Sequence, residues 1–256
     1  MKPYWTKIKE SELVSLPLFL FIWEMVAILL NNRLLPGPLD VFLKVWELSI
    51  AGELLYDLGK SLHRAGVAFL VSMILGTIIG TLLGHYKLID RLFNSWVLIG
   101  LNIPAIVVAI LFYIWLGLTE VALIAAVVVN KTPLVAVIMR EGYRSLNVEL
   151  EELSRVYRIP FTVKIFRFVL PQLMPFLLNS ARTGLSLIWK IVLVFEVLGS
   201  DGGVGFQIGI FFQYFDIESI LAYAVTFMSV VLFIEYFLLR SLENRVLGWH
   251  LAQKSQ

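Results

Sequence analysis

What most constrains this chain is a succession of apolar runs, each long enough to cross a bilayer and each set off by short charged punctuation. A spanning helix needs roughly 20 mostly apolar residues. Six stretches meet that need: about Leu16–Leu34, Ala65–Gly84, Leu92–Gly117, Thr119–Met139, Met174–Leu198 and Ile217–Leu239. Only 16% of the 256 residues are charged and 59% are hydrophobic, whereas soluble domains carry about a quarter charged residues. One globular core cannot hide that much apolar surface, so the bilayer has to act as solvent. The expected fold is all-α, a single transmembrane domain over residues 1–256 with about six transmembrane helices. Lys2, Lys7 and Lys9 precede the first run as they would in a signal peptide. Asn31, Asn32 and Arg33 follow it where a small-residue cleavage site would stand, so the run reads as a retained span.

Orientation follows from lysine and arginine, which cytoplasmic loops retain. With the N-terminus inside, Lys2, Lys7, Lys9, Lys87, Arg91, Arg140, Arg144, Arg155, Arg158, Lys164, Arg167, Arg240, Arg245 and Lys254 all fall in the cytoplasm. Arg33, Lys44, Lys60 and Arg64 fall outside, balanced by Asp40, Glu47, Glu53 and Asp57, and the loop Ser200–Asp216 has no positive charge. Both termini are therefore expected in the cytoplasm, as segments 1–15 and 240–256, together with a long polar interruption over 140–171. Residues 35–64 open on the turn Leu35-Pro36-Gly37-Pro38 and continue as an amphipathic extracytoplasmic connection near the membrane surface.

Several functions are excluded. The chain has no cysteine, and His63, His85 and His250 have no metal-ligand spacing, so no metal site is expected. A net charge of +2, with no basic run interleaved with aromatics, argues against nucleic acid. No G-x-x-x-x-G-K-[ST] phosphate loop is present, so any ATP must be bound elsewhere. No His/Ser or paired-carboxylate constellation inside a span supports an intramembrane hydrolase. A secondary transporter would explain the spans and the buried charges, but not the long interruption, and the short chain lacks inverted halves.

Within that interruption, Glu151-Glu152-Leu153-Ser154-Arg155-Val156-Tyr157-Arg158-Ile159-Pro160 reads as a helix stopped by proline, which disfavours helical geometry at Ile159. A second amphipathic segment, Phe161 to Val169, carries Lys164 and Arg167 and leads into Leu170-Pro171. Two short helices at an angle would form a protruding knob; the plainer alternative is a solvated loop. The stretch resembles the cytoplasmic EAA loop of ABC importer permeases, whose pattern is Glu-Ala-Ala, a glycine shortly after, and an Ile/Val-Leu-Pro ending. Pro171 falls nineteen residues after Glu152, the family spacing, and Val169-Leu170-Pro171 supplies the ending. Leu153 and Ser154 replace the alanines, and Arg158 stands where glycine is usual.

The resemblance runs from about Trp23 to Trp249. Trp23-Glu24, Leu35-Pro36-Gly37-Pro38, Ile103-Pro104, Trp115-Leu116-Gly117, the run Ala181–Trp189, Glu196 and Gly202-Gly203-Val204-Gly205 are similar in order and spacing to the nitrate, sulfonate, taurine and bicarbonate permease subfamily of type I importers. That resemblance implies a homodimer in a bacterial-type inner membrane, two cytoplasmic ATPase subunits that bind ATP and magnesium, and an extracytoplasmic solute-binding protein. It also implies that Glu151, Glu152, Leu153, Ser154, Tyr157, Arg158 and Pro171 form the coupling loop that seats in an ATPase groove, with Glu152 as the anchoring polar contact. The implied cargo is a small anion or zwitterion, and relatives that carry a thiamine-pyrimidine precursor or an aromatic acid stand as the alternative.

Ionisable groups inside a span are expensive and usually face a cavity or a partner. Lys131 lies about twelve residues into the fourth run, roughly 18 Å along a helix, next to Thr132 and Pro133. Arg182, Ser186 and Lys190 recur every four residues and drift by only about 80° over about 12 Å, which makes a positive stripe suited to the wall of an anion path. Glu196 is expected with that path, although it points about 120° away from Lys190. For Arg182 two readings stand, the path wall or a pairing with a neighbouring helix. Gly76, Gly80 and Gly84 share one helix face and allow close packing, and Gly199–Gly205 reads as a tight re-entrant turn.

Overall fold

The computed structural model describes residues 4–30, 32 and 34–253, with side chains placed at 15, 17–30, 32, 34–150, 152–154 and 156–237. The positive charges expected at Lys2, Lys7, Lys9, Arg33, Arg155, Arg240, Arg245 and Lys254 lie outside those side chains, as does Glu151. Among the described residues there is no strand. In order, the helices are α1 (Tyr4–Leu30), α2 (Pro38–Ala51), α3 (Glu53–His85), α4 (Lys87–Asn102), α5 (Ala105–Leu116) and α6 (Glu120–Arg144), then α7 (Val148–Val156), α8 (Phe161–Lys164), α9 (Leu170–Leu198), α10 (Val204–Tyr214) and α11 (Ile217–Gln253). A π turn over Ile165–Val169 joins α8 to α9.

Three of these helices are long and apolar enough to cross a membrane: α3, α6 and the Ile217–Phe237 part of α11. α4 and α5 are long and apolar enough only as a pair, which is bent by 96°, the geometry of a broken span or a re-entrant loop. α1 contributes the shorter apolar segment Pro17–Leu30, and α9 runs for 29 residues. The expected third span is therefore not straight. Ile103 precedes a proline and takes extended geometry (φ −68°, ψ 124°), because the Pro104 ring crowds a helical Ile103.

A second correction concerns residues 35–64. The expected surface connection ends at Gly52, whose φ of +83° is open to glycine and closes α2. Beyond it α3 begins at Glu53, twelve residues before the expected start, and runs unbroken for 33 residues. Its charged N-terminal part is packed against α9, α10 and the turn between them. The α1–α2 connection is held by the Trp23 indole, whose Nε1 donates to the Pro36 carbonyl at 3.0 Å, while Asp40 accepts from the Gly37 N–H at 3.1 Å.

α3 and α6 form the tightest pair, along the glycine face foreseen in the sequence. A methyl on Gly80 would sit 2.7 Å from Met139 Cβ, one on Gly84 2.6 Å from Tyr143 Cβ, and Gly76 lies directly against Val135. With no side chain between them the two backbones pack closely, as small residues permit in membranes. Pro133 does not interrupt α6, and the Thr132 hydroxyl donates to the Val128 carbonyl at 2.7 Å. α9 lies across α6 and α3, with α10 and α11 beyond it and α5 against α6 and α9. The shared core includes Leu123, Val127, Ile188, Val192, Phe195 and Tyr223.

The interruption is also shorter than expected. α6 continues through Arg140, which is 9% exposed, to Arg144. Arg140 Nη1 bonds Asn94 at 2.6 Å and Asp90 at 3.2 Å, and Arg144 Nη2 bonds Asp90 at 2.6 Å, which ties α6 to α4. The second segment of the knob is not a separate helix. The π turn links it continuously to α9, the Leu170 N–H reaching the Ile165 carbonyl. Pro171 follows directly, where a proline ring fits the start of a regular helical stretch.

Candidate functional site

The knob forms at the α7 end of the bundle. Asn147 caps α7 by accepting from the Glu149 N–H at 2.8 Å, and Gln172 of α9 holds this junction by accepting from the Asn147 N–H at 3.0 Å. At its far end α7 closes in a Schellman turn: the Ile159 N–H reaches back to the Ser154 carbonyl at 3.0 Å while Arg158 takes left-handed geometry with φ +47°. Glycine adopts that conformation without penalty and a side chain does not, which accounts for the glycine usual at this position. Ser154 is 4% exposed, so the second alanine position of the pattern requires a small residue. Around it Leu153, Val156, Tyr157 and Phe161 are exposed at 45%, 78%, 73% and 75%. Glu152 is exposed as well. The resulting surface is an apolar patch with acidic neighbours, carried on a short helix whose two ends are fixed.

The stripe on α9 keeps its expected register. Arg182 and Lys190 are exposed and Ser186 is half-buried, on the side of α9 turned away from Ser180, Gly184 and Ile188. Lys131 is not on that surface. It is buried at 7% exposure in the interior of α6, and no carboxylate pairs with it among the described residues. The structure therefore separates the inward Lys131 from the outward Arg182–Lys190 face.

Glu196 does not share the face of the stripe. It is fully buried and belongs to a polar cluster that sequence reasoning missed. Its carboxylate accepts from Arg64 Nη1 at 2.9 Å, from the Ser61 hydroxyl at 2.7 Å and from the Gly205 N–H at 2.9 Å. Arg64 is itself fully buried, and it also donates to the Gly202 carbonyl at 2.6 Å and to Asp201 at 2.5 Å. Asp57, 3% exposed, accepts from the Gly203 N–H at 2.9 Å and from the Tyr223 hydroxyl of α11 at 3.1 Å. The Ser61 oxygen accepts from the Val204 N–H at 2.8 Å. The first N–H groups of α10, which form a natural anion site, are thus occupied by the chain's own carboxylates and hydroxyl. A tight turn occupies residues 199–203 and α10 begins at Val204, and a methyl on Gly203 would sit 2.5 Å from Glu196 Oε1.

One sequence signal could have located this cluster. Asp57, Ser61 and Arg64 stand at i, i+4 and i+7, on the same face as Ala65, Ala68, Ser72 and Gly76, so they extend a buried small-residue stripe. Lys60 and Asp201 close the cluster at the surface, with Nζ 3.2 Å from the carboxylate. Asp201 lies outside the spans. Partial burial pushes its carboxyl up, but Lys60 and Arg64 outweigh that and hold it below the usual carboxylate range. Elsewhere, an apolar recess of about 390 Å³ between α3, α4 and α6 is lined by residues such as Leu82, Phe93, Trp96 and Pro133, with little to orient a polar solute.

Residues 72–248 match the family described as binding-protein-dependent transport system inner membrane component. The chain is 29% identical over 230 residues to the putative aliphatic sulfonates transport permease protein SsuC of Bacillus subtilis, covering 89% of this chain and 83% of that protein. It is 25% identical over 209 residues to the nitrate import permease protein NrtB of Synechococcus elongatus, covering 76% and 74%. Among solved structures, a bacterial ABC transporter involved in the import of the acidic polysaccharide alginate superimposes with a TM-score of 0.68 at 16% identity, over 94% of this chain and 98% of that one. An inward-facing form of the MetNI methionine ABC transporter gives 0.61 at 20% identity, over 74% and 95%. The chain belongs to the binding-protein-dependent transport system inner membrane component family, and it is the membrane-spanning permease subunit of an ABC importer rather than an enzyme.

Proposed function

We propose that this permease carries a small anion or zwitterion along a path formed between two copies of itself. The observation that carries this reading is the face of α9, where Arg182 and Lys190 stand exposed on a membrane helix. Charges in that position cannot be left to lipid. Lys190 requires water or a second protein surface, and a homodimer facing itself across α9 would supply both. Positive charge along such a wall favours an anionic solute, in keeping with the sulfonate and nitrate named for two of the relatives. Lys131, set apart from that face and buried in α6 with no carboxylate pairing with it among the described residues, would supply a third cationic position, and Ser186 a hydroxyl between the two charges of the stripe.

The α7 knob is the coupling loop in this reading, with Glu151, Glu152, Leu153, Ser154, Tyr157, Arg158 and Pro171 as its elements. Its exposed Leu153, Val156, Tyr157 and Phe161 suit a groove in each of two ATPase subunits, with Glu152 as a polar anchor. ATP and magnesium belong to those subunits. Both termini and the knob then lie in the cytoplasm, and the turn at 199–203 faces the extracytoplasmic binding protein. Closing the ATPase pair would draw the two knobs together and switch the helices between inward and outward arrangements.

The test combines two variants. In membrane vesicles holding the whole transporter, Lys131→Met with Lys190→Met should cripple uptake of a sulfonate or nitrate while leaving assembly intact; normal uptake removes the anion path. Glu152→Lys should uncouple ATP hydrolysis from uptake, and retention of both activities removes the coupling assignment.

A further inference from the structure

The Arg64 cluster has a property that neither the path nor the coupling loop uses: its bonds run between elements rather than within them. Asp57, Ser61 and Arg64 come from α3, Glu196 from the last turn of α9, Asp201 and Gly202 from the connecting turn, Gly203, Val204 and Gly205 from the start of α10, and Tyr223 from α11. We propose that this cluster is a latch that keeps this end of α3, α9, α10 and α11 a single rigid block throughout the transport cycle, so that conformational switching takes place around the block and not through it.

Three observations carry this. First, the pair at its centre has no exposure on either side chain, so parting α3 from α9 would leave a guanidinium and a carboxylate without water or partner. Second, the cluster is nearly saturated. Both Glu196 oxygens, both Asp57 oxygens, the first N–H groups of α10 and both terminal nitrogens of Arg64 are engaged, and Arg64 Nε alone of the guanidinium nitrogens has no partner. Third, the backbone is moulded to it. Gly202 and Gly203 take φ of +139° and +105°, and Gly203 and Gly205 lie so close to Glu196 that neither admits a side chain. A joint meant to open and reclose needs two packings of similar stability, and this one offers only one. Arg64 is thus a positioning residue: it fixes where the 199–203 turn stands relative to α3 without touching the solute.

The chain's lack of cysteine allows a direct test. Leu55 of α3 and Gln213 of α10 are both exposed and lie outside the cluster. Spin labels at Leu55→Cys and Gln213→Cys would be measured by pulsed electron resonance in nanodisc-held complexes with the ATPase subunits, nucleotide-free and trapped with ATP, magnesium and vanadate. The latch predicts distances that agree within about 2 Å between the two states, and a shift of about 5 Å or more overturns it. It also predicts that Arg64→Met broadens the nucleotide-free distance distribution; a distribution unchanged from the parent's overturns it equally. If Arg64→Met does not assemble, Glu196→Gln serves, with the same two outcomes. A second label pair at Tyr157→Cys in the two copies keeps this separate from the coupling reading. A fixed Tyr157 distance under vanadate counts against coupling through α7, and the Arg64→Met comparison still decides the latch.

Discussion

Two arginine-centred clusters tie helices together in this molecule, one toward each end of the bundle, and they differ in almost everything except chemistry. At the 199–203 end, Arg64 and Glu196 have no exposed side-chain surface. At the α7 end, the side chains of Arg140 and Asp90 are 11% and 17% exposed, and those of Arg144 and Glu141 reach 41% and 53%. A pair that water can reach exchanges partners at little expense, as Arg140 and Arg144 already share Asp90 and Glu141. A pair sealed from water has no such freedom, because each charge depends wholly on the other. The same ion pair is therefore a weld at one end and an adjustable contact at the other. The adjustable end is the one next to the knob.

The sharpest way to break this contrast is to remove one acid from each cluster. Glu196→Leu strands Arg64 and two further donors, the Ser61 hydroxyl and the Gly205 N–H, and should lower stability by about 3–5 kcal/mol, read as a large fall in the thermal unfolding midpoint of the detergent-solubilised complex. Next in size, Gly80→Val on the dry seam between the two ends should lower it by about 1–3 kcal/mol through overpacking against Met139. Arg158→Gly runs the other way: relief of a left-handed side chain should add about 1 kcal/mol to the order of the knob, measured as slower amide exchange over α7. Asp90→Ala should cost no more than about 1 kcal/mol, an effect that shrinks in high salt while the Glu196→Leu effect does not. Equal losses for the two acids would erase the distinction.

The smallest effect concerns pH. Because Lys60 and Arg64 hold the Asp201 carboxyl below its ordinary range, its contribution is fully present above the unfolded-state value. It is lost only as pH falls through the lower folded-state value. Asp201→Asn should abolish that acid-side loss and leave stability at neutral pH little changed, since the side chain is 63% exposed. Unfolding midpoints of the two proteins across the acid range are the measurement.

Much of this fold could be read along the sequence because a bilayer imposes its length on helices: the apolar runs at 65–84, 174–198 and 217–239 lie within helices, and the run at 119–139 does so from Glu120 onward. The glycine face at Gly76–Gly84 was legible for a similar reason, since only packing explains glycine at that spacing. The knob was found from the distance between Glu152 and Pro171. Arg64, Asp57 and Glu196 were misread because hydropathy treats a charge as evidence of water, while three-dimensional pairing removes that meaning. Glu196 lies 132 residues from Arg64, and no local pattern links them. The α4–α5 bend was missed because the run over 92–117 is apolar on average, and a window average passes over a single Pro104.

That bend has a consequence for where solvent reaches. Pro104 has no N–H to offer the Gly100 carbonyl, and the 96° corner carries the following amides away from the last turn of α4. Hydrocarbon tolerates no such unsatisfied backbone. The corner at Ile103–Pro104 must therefore be turned from the lipid toward water or toward a neighbouring protein surface, and it marks a stretch of α4 and α5 that acyl chains do not cover.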